Sequence, residues 1–170
     1  MKNIFSIITA DLNSTEHSRA FVRLVDEYVR GDTGKGSPLS AEIKNRLVPG
    51  IRQHKYACVY FAVAGIKIIG LAVCFKGYST FSAAPLINIH DLIITKKYRR
   101  KGAASALIKH IESQAIAAGC CKITLEVRAD NGAALALYKR EGFGLGERPM
   151  FFMTKGVSLA VRSFRRDQFT

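Results

Sequence analysis

The chain has 170 residues and a formal net charge of +13, with 26 Lys and Arg against 13 Asp and Glu. This length favours a single domain, and a hydrophobic content of 48% is typical of a globular protein that buries a core. The positive charge favours a polyanionic partner, namely a nucleic acid, an anionic membrane or a nucleotide-like cofactor, but it does not choose among them.

The cysteines argue against both a disulfide framework and a metal centre. None of the four forms a Cys-x-x-Cys pair, and no histidine spacing completes a zinc site. No apolar run reaches membrane-spanning length, and the first residues form a stretch that is too short and too soon polar for a signal peptide. We therefore expect a cytoplasmic protein in a reducing compartment, with no bound metal.

The first part of the chain predicts a strand followed by two helices. The strand covers residues 4–9, and Asn13 with Glu16 has the spacing of a capping box at the start of the first helix. A loop with three glycines follows, but it lacks the preceding strand and the Gly-Lys-Ser/Thr ending of a phosphate-binding loop. Ser37 with Pro38 then predicts the start of the second helix.

The middle of the chain predicts three strands. Apolar, β-branched runs at residues 56–64 and 67–75 flank Gly65, a pattern that indicates an antiparallel hairpin. Residues 77–85 are predicted to form a loop with two aromatic side chains. A further strand is predicted over residues 86–95.

A basic turn that contains glycine follows this strand. Its sequence, Arg-Arg-Lys-Gly-Ala-Ala at residues 99–104, precedes a helical run at residues 105–118. Backbone N–H groups and the positive end of the helix dipole are therefore predicted to converge on one point. Gly102 allows the backbone to approach an anion without a Cβ in the way. The turn predicts a binding site for a phosphorylated ligand.

The last predicted elements are a strand at residues 122–127, a helix at 131–141 and a short strand at 151–154. The order β-α-α-β-β-β-α-β-α-β predicts an α/β fold with a mixed, mostly antiparallel central sheet and helices on both faces. The domain is expected to cover residues 1–155. The basic tail, residues 156–170, is compatible with a disordered end, an extra packed element or the arm of a homodimer.

The basic turn carries a spacing that is characteristic of one family. Arg99, Gly102 and Ala104 fit the order Arg or Gln, two residues, Gly, one residue, then Gly or Ala. The turn thereby resembles the signature of the GCN5-related N-acetyltransferases, the GNAT family, and residues 90–94 resemble that family's fourth strand. Arg100 and Ala104 stand where the family more often has Gly, which suits a site built from the backbone.

A second motif follows at the family's spacing. The sequence Glu-Val-Arg-Ala-Asp-Asn at residues 126–131 leads to Tyr138 and then to Gly142 and Phe143. This order resembles the family's fifth strand, its Asn, its helix Tyr and its Gly-Phe. Two motifs in the right order make the resemblance specific over about residues 86–154.

The resemblance implies that the turn binds acetyl-coenzyme A. The backbone N–H groups of the turn would bind the pyrophosphate, and the pantetheine arm would add like a strand to the exposed backbone before the turn. The residues that this assigns to the cofactor are Leu92, Ile93, Ile94, Arg99, Arg100, Lys101, Gly102, Ala103, Ala104 and Asn131. Asn131 also fits the position of a helix N-cap.

The resemblance also implies a general acid. Tyr138 matches the family's acid, because a phenol with a pKa near about 10 can protonate a departing thiolate. The base that deprotonates the amine is open among Asp91, His90 and Glu126, each expected on a strand near the cleft, and a water relay would also serve. Alternation along a strand places His90 and Asp91 on opposite faces, so that only one of them would face the amine.

Three functions are compatible with the sequence. The first is an N-acetyltransferase that transfers an acetyl group from acetyl-coenzyme A to a primary amine of a small molecule or peptide by direct attack. The alternatives are a coenzyme A-binding sensor or scaffold without catalysis, and a basic nucleic-acid-binding module. The sequence has no helix-turn-helix, zinc finger or aromatic RNA-binding motif, so neither a nucleic acid nor a membrane is expected as a partner. The acceptor amine is not identified, although the few carboxylates in the expected acceptor walls disfavour a polyamine.

Overall fold

The computed structural model describes residues 5–31, 34, 36–146 and 152–157. Its strands form one sheet in chain order: β1 (Ser6–Thr9), β2 (Ala57–Ala64), β3 (Lys67–Ser79), β4 (Ala84–Ile94) and β5 (Lys122–Leu125). Strands β1 to β4 are antiparallel to their neighbours, whereas β5 pairs with β4 in parallel because a helix connects the two. The predicted mixed, mostly antiparallel sheet is confirmed.

Helices cover both faces of this sheet. Those within the described residues are α1 (Thr15–Arg30), α2 (Ala41–Gln53), α3 (Ala103–Ala117) and α4 (Gly132–Arg140), with one turn of 3-10 helix at Lys96–Tyr98. On one face, Phe21 and Leu24 of α1 pack against Phe61 of β2. On the other face, Leu107 and Ile111 of α3 form a second buried cluster. We call these the α1 face and the α3 face.

Both helices of the α1 face begin at serines that the sequence did not single out. The N-cap of α1 is Ser14, whose hydroxyl accepts the His17 N–H at 3.4 Å, because the Asn13 side chain instead accepts a hydrogen bond from Arg52. The N-cap of α2 is Ser40, which accepts the Ile43 N–H at 3.2 Å. The predicted starts at Asn13 and Ser37 are therefore wrong by one and three residues.

The hairpin around Gly65 is confirmed, but the predicted loop at residues 77–85 is too long. Strand β3 continues to Ser79, and Gly77 pairs with Leu86 of β4. A Cβ on Gly77 would lie 3.2 Å from the Leu86 side chain, so this glycine marks a close approach within the hairpin rather than a loop.

The end of the chain departs from the prediction. Residues 152–154 have no regular secondary structure, so the predicted strand at 151–154 is wrong over that part, and Phe151 lies outside the described residues. Of the tail, only residues 156 and 157 are described. No helix in the described part of the chain is both long and apolar enough to span a membrane.

Candidate active site

The turn between β4 and α3 presents a run of unpaired backbone donors. In the described structure, the N–H groups of residues 100–105 donate to no backbone or side-chain acceptor, whereas the Ala106 N–H donates to the Gly102 carbonyl oxygen at 3.0 Å. The first N–H groups of a helix lack partners and carry the positive end of its dipole. The turn therefore has the donors that an oxyanion requires, as the sequence predicts.

The backbone of this turn is left-handed at two positions. Gly102 has a φ of +91° and Arg100 a φ of +59°. An L-residue in this region costs about 1–2 kcal/mol, so Arg100 adopts a backbone shape that a glycine would adopt without strain. A Cβ on Gly102 would meet no atom within 4 Å, so the space over this glycine is open.

Two side chains of the turn contact the protein itself. The Arg99 Nε donates to the Ile94 carbonyl oxygen at 2.9 Å and so ties the turn to the end of β4. The Lys101 ammonium lies 5.7 Å from the centre of the Tyr98 ring. Both cations raise the positive potential of the turn, whereas direct contact of either with a phosphate stays a prediction.

The sheet opens beside the turn. The parallel pairing of β4 with β5 ends at Ile89 and Leu125, while β4 continues to Ile94. Beyond Ile89, β4 pairs only with β3 among the described strands, so its other edge is free. Leu92, Ile93 and Ile94 lie on this free edge, where the sequence predicted that backbone groups would be exposed.

The alternation of side chains along β4 shifts at His90. Ile89 belongs to the core of the α3 face and Ile93 to that of the α1 face, although strict alternation would place both on one face. A β-bulge causes this shift, because adjacent residues of β3 pair with Asp91 and Ile89 and thereby leave His90 unpaired.

His90 and Asp91 therefore lie on the same face, and the prediction that they lie on opposite faces is wrong. Asp91 pairs with Val73, which belongs to the core of the α1 face. The His90 ring meets the Phe75 ring edge to face at 5.4 Å, and Phe75 meets His54 at 4.8 Å. Phe75 also packs on the core of the α1 face. The bulge thus brings both base candidates to the side of the sheet that α1 and α2 cover.

Asp91 is the more buried of these two side chains. Burial raises the pKa of the Asp91 carboxyl, and the nearby His90 opposes this only in part. A charged carboxylate is costly at such a position, because few polar groups replace its hydration.

Glu126 lies just beyond the end of β5 rather than within a strand, because β5 ends at Leu125 and not at residue 127. The Asn88 side-chain amide donates to the Glu126 carboxylate at 3.2 and 3.4 Å and to the Thr124 hydroxyl at 3.1 Å. Glu126 is thus an exposed carboxylate held at the mouth of the opening between β4 and β5.

Tyr138 lies on α4 with its ring edge to face against Phe143 at a centroid distance of 5.8 Å. Burial raises the pKa of the Tyr138 phenol, and Tyr28 adds a smaller contribution in the same direction. Tyr28, on α1, also raises the pKa of Arg128, after the larger effect of Asp130. These contributions link the Tyr28 phenol electrostatically to Tyr138 and Arg128. The sequence indicated only that it belongs to the apolar face of its helix, and no further signal distinguishes it.

A hydrogen-bonded contact ties α4 to the start of α3. The Ser105 hydroxyl donates to the Glu141 carboxylate at 2.7 Å and accepts from Arg140 at 3.1 Å. At the other end of α4, Asn131 is the N-cap, since its side chain accepts the Ala134 N–H at 3.2 Å. The predicted N-cap is confirmed, while a contact of Asn131 with a cofactor stays a prediction. These contacts fix the helix that carries Tyr138 relative to the basic turn.

The sequence profile of the Acetyltransferase (GNAT) family matches residues 16–143, about three quarters of the chain. The chain belongs to the GNAT family. An integron cassette protein from the mobile metagenome of V. cholerae has a similar structure, with a TM-score of 0.77 at 22% identity. This likeness covers 91% of the present chain and 94% of that one and shows the GNAT fold.

Two relatives are similar in sequence. The N-alpha-acetyltransferase MAK3 of Arabidopsis thaliana is 32% identical over 99 residues, which is 54% of this chain and 47% of that protein. The ribosomal protein bS18-alanine N-acetyltransferase of Escherichia coli strain K12 is 36% identical over 56 residues, 33% of this chain and 38% of that protein. The matched segments thus span less than half the length of these curated relatives.

GNAT enzymes generally use acetyl-coenzyme A, and the residues of the turn fit such a ligand. The unpaired N–H groups of residues 100–105 and the open space over Gly102 would accommodate the pyrophosphate. The unpaired edge of β4 would accommodate the amide-containing arm. Over residues 5–31, 34, 36–146 and 152–157, no group of three or more His, Cys, Asp or Glu side chains is placed to hold a metal ion.

Proposed function

We propose that this protein transfers the acetyl group of acetyl-coenzyme A to a primary amine of a small molecule or peptide. The observation that carries the proposal is the run of unpaired N–H groups at residues 100–105, which follows the free edge of β4 after one turn of 3-10 helix. A phosphate-binding turn and an adjacent unpaired strand edge together match a ligand that joins a pyrophosphate to a chain of amides.

Tyr138 is the proposed general acid. Because its pKa is raised by burial, the phenol keeps its proton at neutral pH and can donate it to a departing thiolate. Its place on α4, which Ser105 and Glu141 tie to the start of α3, supports a position near the sulfur of a donor held by the turn.

Glu126 is the proposed base. Asp91 is less suited, since its side chain is partly buried whereas that of Glu126 is exposed, and the His90 ring packs against Phe75. The Glu126 carboxylate is exposed to an incoming amine and is hydrogen-bonded by Asn88. It lies where the pairing of β4 with β5 ends, next to the free edge of β4 that is proposed to bind the acetyl donor.

Glu126 and Tyr138 carry the proton transfers of the proposed reaction. Glu126 accepts a proton as the amine nitrogen attacks the thioester carbonyl carbon, so that a C–N bond forms and the C–S bond breaks. Tyr138 gives its proton to the thiolate, and solvent then transfers a proton from Glu126 back toward the phenolate. The products are the acetylated amine and coenzyme A.

The relatives favour the α-amine at a protein N-terminus as the first acceptor to test. MAK3 of Arabidopsis is named an N-alpha-acetyltransferase, and the Escherichia coli relative an alanine N-acetyltransferase of a ribosomal protein. An α-amine has a pKa of about 7.7–8.0, against about 10.4 for lysine, so more of it is neutral and nucleophilic near pH 7. The base therefore has to deprotonate a smaller fraction of such an acceptor before it can attack.

The test is release of free thiol from acetyl-coenzyme A with a panel of amines, which includes peptides with free N-termini, aminoglycosides, amino acids and diamines. Thermal melting with saturating acetyl-coenzyme A precedes it. We expect a rise in Tm and thiol release with at least one peptide amine. A rise in Tm without thiol release would instead support a coenzyme A sensor. No rise in Tm, together with salt-sensitive retention on RNA or DNA, would support a nucleic-acid-binding module.

A further inference from the structure

We infer that Asn88 is a positioning residue that fixes the direction of the Glu126 carboxylate toward the acceptor amine, an inference that rests on the proposed function. Asn88 lies on β4, where it pairs with Thr124 of β5 close to the end of the parallel ladder. Glu126 follows two residues after Thr124, outside the strand, and so lacks a backbone partner strand to hold it.

The amide of Asn88 connects these two positions. One side-chain nitrogen reaches the Thr124 hydroxyl at 3.1 Å and both oxygens of Glu126 at 3.2 and 3.4 Å. A primary amide has two N–H groups, so one can serve the hydroxyl and the other can be shared by the carboxylate oxygens. The opposite orientation of the amide would point its oxygen at the carboxylate, so the charge of Glu126 determines the orientation of Asn88.

The hydrogen bonds from Asn88 restrain the Glu126 carboxylate, which otherwise has no hydrogen-bond partner among the described residues. Among the described residues, Asn88 is the one hydrogen-bond partner of the Glu126 side chain. An exposed glutamate has several rotatable bonds and samples many rotamers, whereas proton transfer requires hydrogen-bond reach of the amine. A carboxylate whose two oxygens share one donor on a paired strand is restrained in both position and plane.

Three variants distinguish whether Asn88 acts by orienting Glu126 or by joining β4 to β5 through Thr124. The Asn88→Leu variant keeps the size of the side chain and removes the donor to both Thr124 and Glu126. The Thr124→Val variant removes only the contact between the strands, because Thr124 makes no hydrogen bond to the carboxylate. The Glu126→Gln variant removes the base and leaves the volume of the side chain unchanged.

The experiment is a double-mutant cycle on kcat for acetylation of a peptide amine, with KM for acetyl-coenzyme A measured alongside. We expect Asn88→Leu to lower kcat about tenfold with KM for acetyl-coenzyme A unchanged, and Thr124→Val to change kcat less than about twofold. In the Glu126→Gln background, Asn88→Leu should cause no further loss, because residues that act through one another are not additive.

Three outcomes would overturn the inference. They are an equal loss on Asn88→Leu in both backgrounds, an equal loss from Thr124→Val and Asn88→Leu, and no loss from Glu126→Gln. In each case the wild-type protein still acetylates the peptide, so the proposed acetyl transfer survives, although the absence of a loss in Glu126→Gln would also remove Glu126 as the base. A wild-type protein that acetylates no amine would overturn both the proposed function and this inference.

Discussion

Tyr138 lies on α4, with Phe143 against its ring and Tyr28 nearby, in surroundings that keep the phenol neutral. Burial raises its pKa from the ordinary value of 10.0, and a second phenol adds to this shift. The environment therefore suits a group that stays protonated at neutral pH until it donates its proton to a departing thiolate.

We expect Tyr138→Phe to lower kcat by about 10²–10⁴-fold, the range that a general acid contributes, while the Kd for acetyl-coenzyme A stays within about twofold. Thiol release gives kcat, and isothermal titration calorimetry gives Kd. The matched control is Tyr60→Phe, since Tyr60 is also a tyrosine with a pKa raised by burial, to about 12, but lies on β2 in the α3-face core. Unchanged kcat in Tyr138→Phe would remove this residue as the acid.

The sequence led to a wrong prediction of which face of the sheet His90 and Asp91 occupy. Alternation along a strand is a local rule, and a bulge breaks it without a signal in residue type. Neither residue is Gly or Pro, so the shift depends on how β3 and β4 align over their whole length. The sequence identified both residues as candidates for the base, but it did not predict that they lie on the same face of the sheet.

At the scale of elements, the strand–turn–helix unit that ends in α3 was predictable. Its chemistry depends on the backbone, and the sequence shows where a strand ends, where a helix begins and which residue lacks a Cβ. Within this turn, Arg100 adopts a φ of +59°, a left-handed conformation that its residue type does not predict.

We expect Gly102→Val to abolish detectable binding of acetyl-coenzyme A. A side chain on Gly102 would occupy space that is open in the protein and would lie between the ligand and the donors of the turn. It would also be strained at a φ of +91°, so a loss of stability has to be separated from a loss of binding.

The matched control is Gly119→Val. Gly119 also has a positive φ, +65°, with no atom within 4 Å of a Cβ, but it follows the other end of α3. Both variants should lower Tm, and only Gly102→Val should lose the rise in Tm that acetyl-coenzyme A causes. Binding retained by Gly102→Val would place the phosphates elsewhere.

The contact that joins α1 to α2 was not predictable. Asp26 is 9% exposed and accepts the Leu39 N–H at 2.8 Å, and it also pairs with Arg30 and Lys44. Burial raises the pKa of this carboxyl, but the Leu39 N–H, Arg30 and Lys44 outweigh it and hold the pKa below the usual 3.8. The bond to Leu39 joins residues 13 positions apart, so the sequence alone does not reveal it.

We expect Asp26→Asn to lower Tm at pH 7. A depressed pKa means that Asp26 stabilises the fold above pH 3.8 and that this stability is lost as pH falls through the folded-state pKa. The difference in Tm between wild type and Asp26→Asn should therefore shrink below about pH 4. Circular dichroism melts at several pH values measure this.

The control for charge is Glu42→Gln. This variant removes one negative charge from α2, but the Glu42–Arg46 pair is exposed, with both side chains more than half accessible. Exposed pairs contribute little, so Tm should change only slightly. Equal losses in Asp26→Asn and Glu42→Gln would show that net charge, not the buried contact, is responsible.

At the scale of the whole molecule, the site depends on how two halves of the sheet diverge. Strands β1 to β4 form an antiparallel unit, and β5 joins it over only four pairs, Leu86↔Lys122 to Ile89↔Leu125. The free part of β4 leads into the turn, and the contact of Ser105 with Glu141 links α4 to the start of α3. The order of strands and helices was predictable from hydrophobic patterns and turn residues. The length of the β4–β5 pairing was not, since it depends on contacts between distant segments.

The net charge of +13 gave a weaker indication than the turn. The charge was compatible with several polyanions, whereas the unpaired N–H groups of residues 100–105 supply a local run of donors of the kind that an oxyanion requires. The boundary of the domain at residue 155 stays a prediction, because the structure describes only residues 156 and 157 of the tail.

We propose that this chain moves an acetyl group from acetyl-coenzyme A to an amine. The most direct test of this claim is mass spectrometry of a peptide incubated with the protein and acetyl-coenzyme A that carries an isotopic label in the acetyl group. A second peptide of the same sequence with a blocked N-terminus is the control. We predict that the labelled acetyl group appears on the free α-amine and not on the blocked peptide. Absence of label from every amine tested, in a protein whose Tm acetyl-coenzyme A raises, would contradict the claim.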